Sequence, residues 1–351
     1  MNIGILTFHR AHNYGAVLQC YALKKTLEKM GHDVQVIDYR QEYTEKIYKT
    51  FSIKYFGEQV LHPRKALKYI KNIGIRKIQK KNFEKFQHQY LNLTKPCNKI
   101  VDKFDCYVIG SDQMWGLHCT GRLDPIYFGE FSHPSTSKII GYPWLSGNLK
   151  SIQSIEPSEL LKYAKNFHSL SFRESEICQA VKGITNIEGR IDVDPVLLTD
   201  SSFWDTMIQS QWKREKYILV YQVRYPKSNP SILMEKAKEL AMKENCKVIN
   251  LSNKLYSPED FVSLIKYAQC VITSSFHATI FSIIFERPLY SVKLNDGHDG
   301  RYESLLNKIG GKDLLVECNF TPAIKKIDYS EIKAQLAQIK QDSIKYLENE
   351  I

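Results

Sequence analysis

The sequence predicts an α/β protein built as two doubly wound, Rossmann-like domains that face each other across a cleft. Three observations predict it. At 351 residues the chain is too long for one small core and suits two domains of ordinary size. Short apolar runs rich in Val, Ile and Leu, bounded by small or polar residues, alternate with longer stretches of helical period. The alternation begins afresh at Lys216, with its own strand and helix.

The first domain is expected over 1–195. Asn2 to Phe8 reads as a buried strand and His9 to Gly15 as the loop after it. A helix follows with the apolar stripe Ala16, Cys20, Leu23, Leu27 and Met30; Gly31 ends it, and Val34 to Tyr39 is the next strand. This is a βαβ unit whose loop lacks the GxGxxG spacing, so dinucleotide binding is not indicated. Asn13 and Gly15 suit a tight turn that lets the backbone approach a ligand, and an ordinary turn needs the same residues. Phe104 to Ile109 is a further strand, with Ser111, Asp112, Gln113 and Trp115 at its carboxyl end, a composition that fits a sugar-binding lip as well as a capped turn. Strands are expected at Lys138–Tyr142, Ser169–Phe172 and Val193–Leu198, with a helix from Leu160 to Phe167. Arg173 stands at a strand-to-helix junction, where it can fork onto a phosphate or carboxylate or pair with an acid such as Glu174.

The second domain is expected over 196–328. Its strands are Lys216–Val223, Lys247–Leu251, Cys270–Ile272 and Leu289–Val292, and its helices include Ser231–Glu244 and Pro258–Tyr267. Arg301 opens a helix carrying Leu305, Leu306 and Ile309, and 329–351 reads as a closing helix that packs back on the first domain.

Between Cys270 and Pro288 a short strand, the hydroxyl turn Thr273-Ser274-Ser275 and an apolar helix succeed one another. In an open α/β sheet this strand end meets a helix N-terminus, whose free N–H groups and positive dipole end favour an anion. Ser274 and Ser275 add hydroxyls, and His277 adds a group that exchanges protons near neutral pH. A helix capped by Thr273 or Ser274 with a structural histidine behind it would use the same residues. The ring's place in an otherwise apolar helix tips the reading towards function.

The composition, 43% apolar and 25% charged, is that of a soluble globular protein. No run approaches the roughly 18 apolar residues of a spanning helix, and Met1–Phe8 leads into polar loop chemistry, so a cytoplasmic protein is expected. The eight cysteines show no CxxC pair or Cys/His ligand spacing; buried thiols are expected, with neither a disulfide framework nor a zinc site. The net charge of +11 is concentrated in an insert, 41–90, with twelve Lys/Arg against four Asp/Glu. Aromatic and aliphatic residues interleave there as in helices that lie on an anionic membrane, and a solvated helical hairpin accounts for the pattern equally. No nucleic-acid-binding motif accompanies the charge, so nucleic acid is not an expected partner.

Asn13-Tyr14-Gly15-Ala16-Val17-Leu18-Gln19, Gly110-Ser111-Asp112-Gln113-Met114-Trp115, Ser171-Phe172-Arg173-Glu174, Asp194-Pro195 and Ser274-Ser275-Phe276-His277-Ala278, in this order, resemble the polysaccharide pyruvyl transferase family. The resemblance spans nearly the whole chain. It implies a fold similar to B-type glycosyltransferases and transfer of the enolpyruvyl unit of phosphoenolpyruvate to a sugar, usually as a ketal. It departs at Pro143-Trp144-Leu145-Ser146-Gly147, bulkier than the small-residue run usual there, which bears on the acceptor and on activity itself.

Ketal formation asks for a general acid/base and for cationic anion holders. The roles that follow are His277 for proton transfer, Arg173 and Arg301 with Ser274 and Ser275 for the donor, and Asn13, Gly15, Ser111, Gln113 and Trp115 for the acceptor. Asp112 is expected either to bind the acceptor or to deprotonate its hydroxyl. No cofactor and no metal is expected; phosphoenolpyruvate is a co-substrate. A sugar on a polyprenyl diphosphate would place the enzyme at the inner membrane face. The rival readings are a nucleotide-sugar glycosyltransferase on the same fold and a non-catalytic, membrane-associated assembly subunit.

Overall fold

A computed structural model describes residues 1–48, 63–111, 114, 120–144, 149–226, 228–297 and 299–351. Strand β1 (Asn2–Leu6), helix α1 (Tyr14–Lys29), β2 (Asp33–Val36), α2 (Glu42–Ile47), α3 (Pro63–Tyr90), β3 (Cys106–Ile109), β4 (Lys138–Trp144), α4 (Leu149–Gln153), α5 (Pro157–Ala164), β5 (Ser169–Phe172), α6 (Ser175–Thr185) and β6 (Arg190–Ile191) build the first half. Its parallel sheet has the order β2-β1-β3-β4-β5-β6. The second half holds β7 (Tyr217–Tyr221), α7 (Ile232–Lys243), β8 (Lys247–Asn250), α8 (Pro258–Tyr267), β9 (Cys270–Thr273), α9 (Phe276–Ile284), β10 (Leu289–Val292), α10 (Gly300–Lys308) and β11 (Leu315–Val316). These strands form a second parallel sheet, β11-β10-β9-β7-β8. The fold is therefore the expected pair of Rossmann-like α/β units, with central strands buried on both faces and reading as continuous apolar runs.

Local chemistry explains the elements that carry the site. The Asn13 side-chain oxygen accepts from the N–H groups of Gly15 and Ala16, starting α1, and Gly31 at φ +92° ends the following turn. Helix α9 is capped by Ser275, whose hydroxyl oxygen accepts from Ala278 N, rather than by Thr273 or Ser274. Thr273 instead turns its hydroxyl back, donating to Tyr221 O at 2.6 Å and accepting from Ser275 N.

Two further expectations are corrected. Val193–Leu198 is not a strand. Asp194 caps a 3₁₀ turn at Pro195–Leu198, because proline removes a ladder donor and fixes φ; the edge strand is Arg190–Ile191. Pro143 and Trp144 belong to β4, not to the loop after it. The Trp144 ring is buried, donates Nε1–H to Ile109 O at 3.1 Å and packs edge-on against Phe167, so its bulk fills the core; 145–148 lie outside the described residues.

One apolar core runs through both halves. Tyr14 of α1 stacks on Phe261 of α8 at 4.7 Å and meets Phe83 of α3 at 5.3 Å, while Trp204 packs on Phe281 of α9 at 4.7 Å. Helix α11 (Ser330–Glu350) closes the chain and ties the halves together: Ser343 accepts from Val193 N, Tyr346 donates to Ser169, and Tyr329, just before it, donates to Arg287 O. The insert is built into this frame. Phe83 and Phe86 of α3 are buried, and Gln79 and Gln87 donate to the carbonyls of His12 and His9. Arg76, Lys77, Lys81 and Lys85 remain exposed. Residues 49–62 lie outside the described ones. Among the described residues no helix is long and apolar enough to cross a membrane.

Candidate active site between the two sheets

His277 occupies the second position of α9, at the carboxyl end of β9. Its ring reaches across to the N-terminus of α1: a Cβ placed on Gly15 would sit 2.0 Å from His277 Nδ1. Only glycine lets these two helix starts approach so closely. The other nitrogen, Nε2, is buried and lies 3.3 Å from Asp194 Oδ2. His277 keeps 16% side-chain exposure, and Nδ1 lies beside Gly15.

Asp194 is the residue around which the site closes. Its side chain is fully buried, Oδ1 accepts from Val196 N at 2.9 Å, and Oδ2 is shared by His277 and the Arg173 guanidinium. Burial alone would push this carboxyl up; Arg173 and His277 outweigh it and hold the group below the usual carboxylate range. Arg173 leaves the end of β5, lies 4.8 Å above the Phe276 ring and donates from Nη1 to Ser111 O at 3.4 Å. Stripping either charge from such a buried pair typically costs about 3–5 kcal/mol.

Arg301, in the first turn of α10, lies 3.7 Å from Glu174. Burial lowers its affinity for the proton, Glu174 restores some of it, and Arg173 and Arg224 lower it further. Arginine stays charged through such shifts. Arg173, Asp194, Phe276, Arg301 and Lys308 line a crevice of about 40 Å³ between the halves. A larger cavity, about 850 Å³ at the outer edge of the second sheet, includes none of the site residues in its lining.

The expected site residues thus divide. His277, Gly15, Arg173 and Ser275 come together, Arg301 lies alongside, and exposed Asn13 anchors the turn that presents Gly15. Ser111 contributes its carbonyl; at φ +72° its hydroxyl is buried, with no partner among the described residues. The Ser274 hydroxyl donates to Arg224 O at 3.0 Å. Asp112, Gln113 and Trp115 lie outside the described residues.

Two residues of this arrangement were given no role by sequence reasoning. Asp194 precedes a proline and looks like a turn former, which one of its oxygens is. Arg224 follows β7 with no motif around it; Asp296, Asp299 and the Tyr302 hydroxyl hold it, and Tyr302 in turn donates to Ser274 O. This network braces the hydroxyl turn that starts α9.

A family profile described as polysaccharide pyruvyl transferase matches residues 13–295. No curated protein matches the chain. Among solved structures the chain is similar to a UDP-N-acetylglucosamine 2-epimerase from Rickettsia bellii, at 11% identity over 99% of this chain and 97% of that one, with a TM-score of 0.47. It is also similar to a UDP-GlcNAc 2-epimerase from Methanocaldococcus jannaschii, at 13% identity over 97% and 92%, with a TM-score of 0.42. The SsfS6 glycosyltransferase of Streptomyces sp. SF2575 is similar at 13% identity over 99% of each chain, with a TM-score of 0.41. The profile covers most of the chain and, of the described residues expected in the site, all except Arg301, and on it the chain belongs to the polysaccharide pyruvyl transferase family.

Proposed function

We propose that the protein transfers the pyruvyl group of phosphoenolpyruvate to a sugar of a cell-surface or exopolysaccharide precursor, as a ketal across two hydroxyls. The observation that carries this reading is the grouping of a histidine, its buried carboxylate and two arginines between the sheets. In the first step the methylene carbon of the donor takes a proton from His277, and a sugar hydroxyl bonds to the adjacent carbon and gives up its proton. In the second, the bond from that carbon to the phosphate oxygen breaks, phosphate leaves, and a second hydroxyl closes the ring and releases its proton. Arg173 and Arg301 hold the donor's carboxylate and phosphate, and the start of α9 at Ser275 faces them with its positive end. The acceptor enters beside Asn13 and Gly15, with Asp112, Gln113 and Trp115 as its remaining partners.

Thermal stability tests the donor. Phosphoenolpyruvate at about a hundred times its dissociation constant adds roughly 2.7 kcal/mol. The expected result is a rise with phosphoenolpyruvate, none with a nucleoside diphosphate sugar, and loss of the rise in Arg173→Ala. A rise with the nucleotide sugar alone would replace this reading by a glycosyltransferase; no rise with either would favour the non-catalytic reading.

The acceptor is proposed to be carried on a polyprenyl diphosphate, with the insert 41–90 resting on an anionic membrane. Support comes from the exposed Arg76, Lys77, Lys81 and Lys85 of α3. Each such charge contributes about 1 kcal/mol near an anionic surface. The protein is expected to co-sediment with phosphatidylserine vesicles at low salt, and replacing these four by alanine to release it. Equal sedimentation of both would count against the membrane role.

A further inference from the structure

Positive charge gathers near the His277 ring on several sides. Its own helix α9 presents a positive N-terminus, and α1 presents another at Gly15. Arg173 packs over neighbouring Phe276 at 4.8 Å, and Arg301 is close enough to Arg173 for the two to repel. Against these stands Asp194, at 3.3 Å from Nε2, the carboxylate that touches the ring among the described residues. That carboxylate is already engaged: its Oδ2 also faces the Arg173 guanidinium, and its Oδ1 is taken by the Val196 amide.

Resting on the donor reading above, we infer that Asp194 is the positioning residue of the reaction and couples donor binding to proton uptake by His277. An anion drawn onto Arg173 takes a share of the guanidinium charge away from Asp194. The buried carboxylate is then left with one strong partner, the His277 ring, and an uncompensated buried charge is costly. The charged ring carries one proton on Nε2, facing Asp194, and the other on Nδ1, beside Gly15. The acid is loaded as the methylene carbon arrives to be protonated.

Calorimetry measures the coupling. Phosphoenolpyruvate is titrated into the whole protein at pH 7.5 in buffers of different ionisation enthalpy, and the protons exchanged per ligand are read from the slope. His277→Gln sets the ligand's own contribution. The wild type is expected to take up more protons than His277→Gln, by a measurable fraction of one per site, and Asp194→Asn, which keeps the shape and the Val196 hydrogen bond, is expected to lose that excess while still binding. Equal exchange in wild type and His277→Gln would overturn the inference and leave the donor reading standing; an excess that persists in Asp194→Asn would overturn the role of Asp194.

If phosphoenolpyruvate gives no binding heat, the donor reading fails, and the inference is decided by histidine NMR with inorganic phosphate as the anion. The His277 signal is the one missing from His277→Gln. Phosphate is expected to move its titration to higher pH in the wild type and not in Asp194→Asn; a curve unmoved in the wild type, or moved equally in both, would overturn the inference.

Discussion

His277→Gln is expected to lower turnover by about 10²–10⁴-fold, the usual worth of a positioned acid or base, while the fold survives. The side chain keeps 16% exposure, and its contacts include a carboxylate shared with Arg173 and packing on Gly15. Loss of about 1 kcal/mol would move the melting temperature by only about 2–4 °C in a large domain. Glutamine can reach Asp194 and satisfy it, but it exchanges no proton near neutral pH. Pyruvyl transfer to a sugar acceptor, followed as phosphate release, checks the rate, and a melting curve checks the fold. Wild-type turnover in this variant would remove His277 from the chemistry.

Gly15→Ala is expected to be nearly as damaging, for a steric reason. Alanine is a better helix residue than glycine, and the backbone of Gly15 is not among the left-handed positions of the chain. The added methyl would nevertheless arrive 2.0 Å from His277 Nδ1 and 2.3 Å from Cε1, so the ring must swing away from Asp194. Displacement of about 1 Å in such a site typically costs about 10²-fold in rate, and forced repacking about 1–3 kcal/mol in stability. In the His277→Ala background the same substitution should cost little stability, since nothing remains to collide. Denaturation midpoints of the four proteins in this cycle measure the coupling; equal costs in both backgrounds would show that the two residues do not meet.

Much of this was readable from the sequence. Parallel strands buried on both faces announce themselves as apolar runs, so β1, β5, β7 and β9 fell close to their expected places. His277 and Arg173 were legible because each interrupts a local pattern: a titratable ring in an apolar helix, and a guanidinium where a strand hands over to a helix. Asp194 was not, since the acid's cap to Val196 and its grip on residues 21 and 83 positions away use different oxygens of one side chain. The cap of α9 was misplaced by one or two residues because three successive hydroxyl residues offer the same chemistry, and only tertiary partners sort them: Tyr221 O for Thr273, Arg224 O for Ser274, Ala278 N for Ser275. Trp144 was read as loop bulk because nothing local reveals that β4 runs on and turns the indole inward.

The apolar seam that joins Tyr14, Phe83 and Phe261 also restricts how such a protein can diversify. The halves are not interchangeable cassettes. A new first half grafted onto the second would have to supply matching rings on α1 and α3, and a glycine where His277 lies. Novelty is therefore cheapest in the loops at the strand ends, where a change of acceptor leaves the seam untouched.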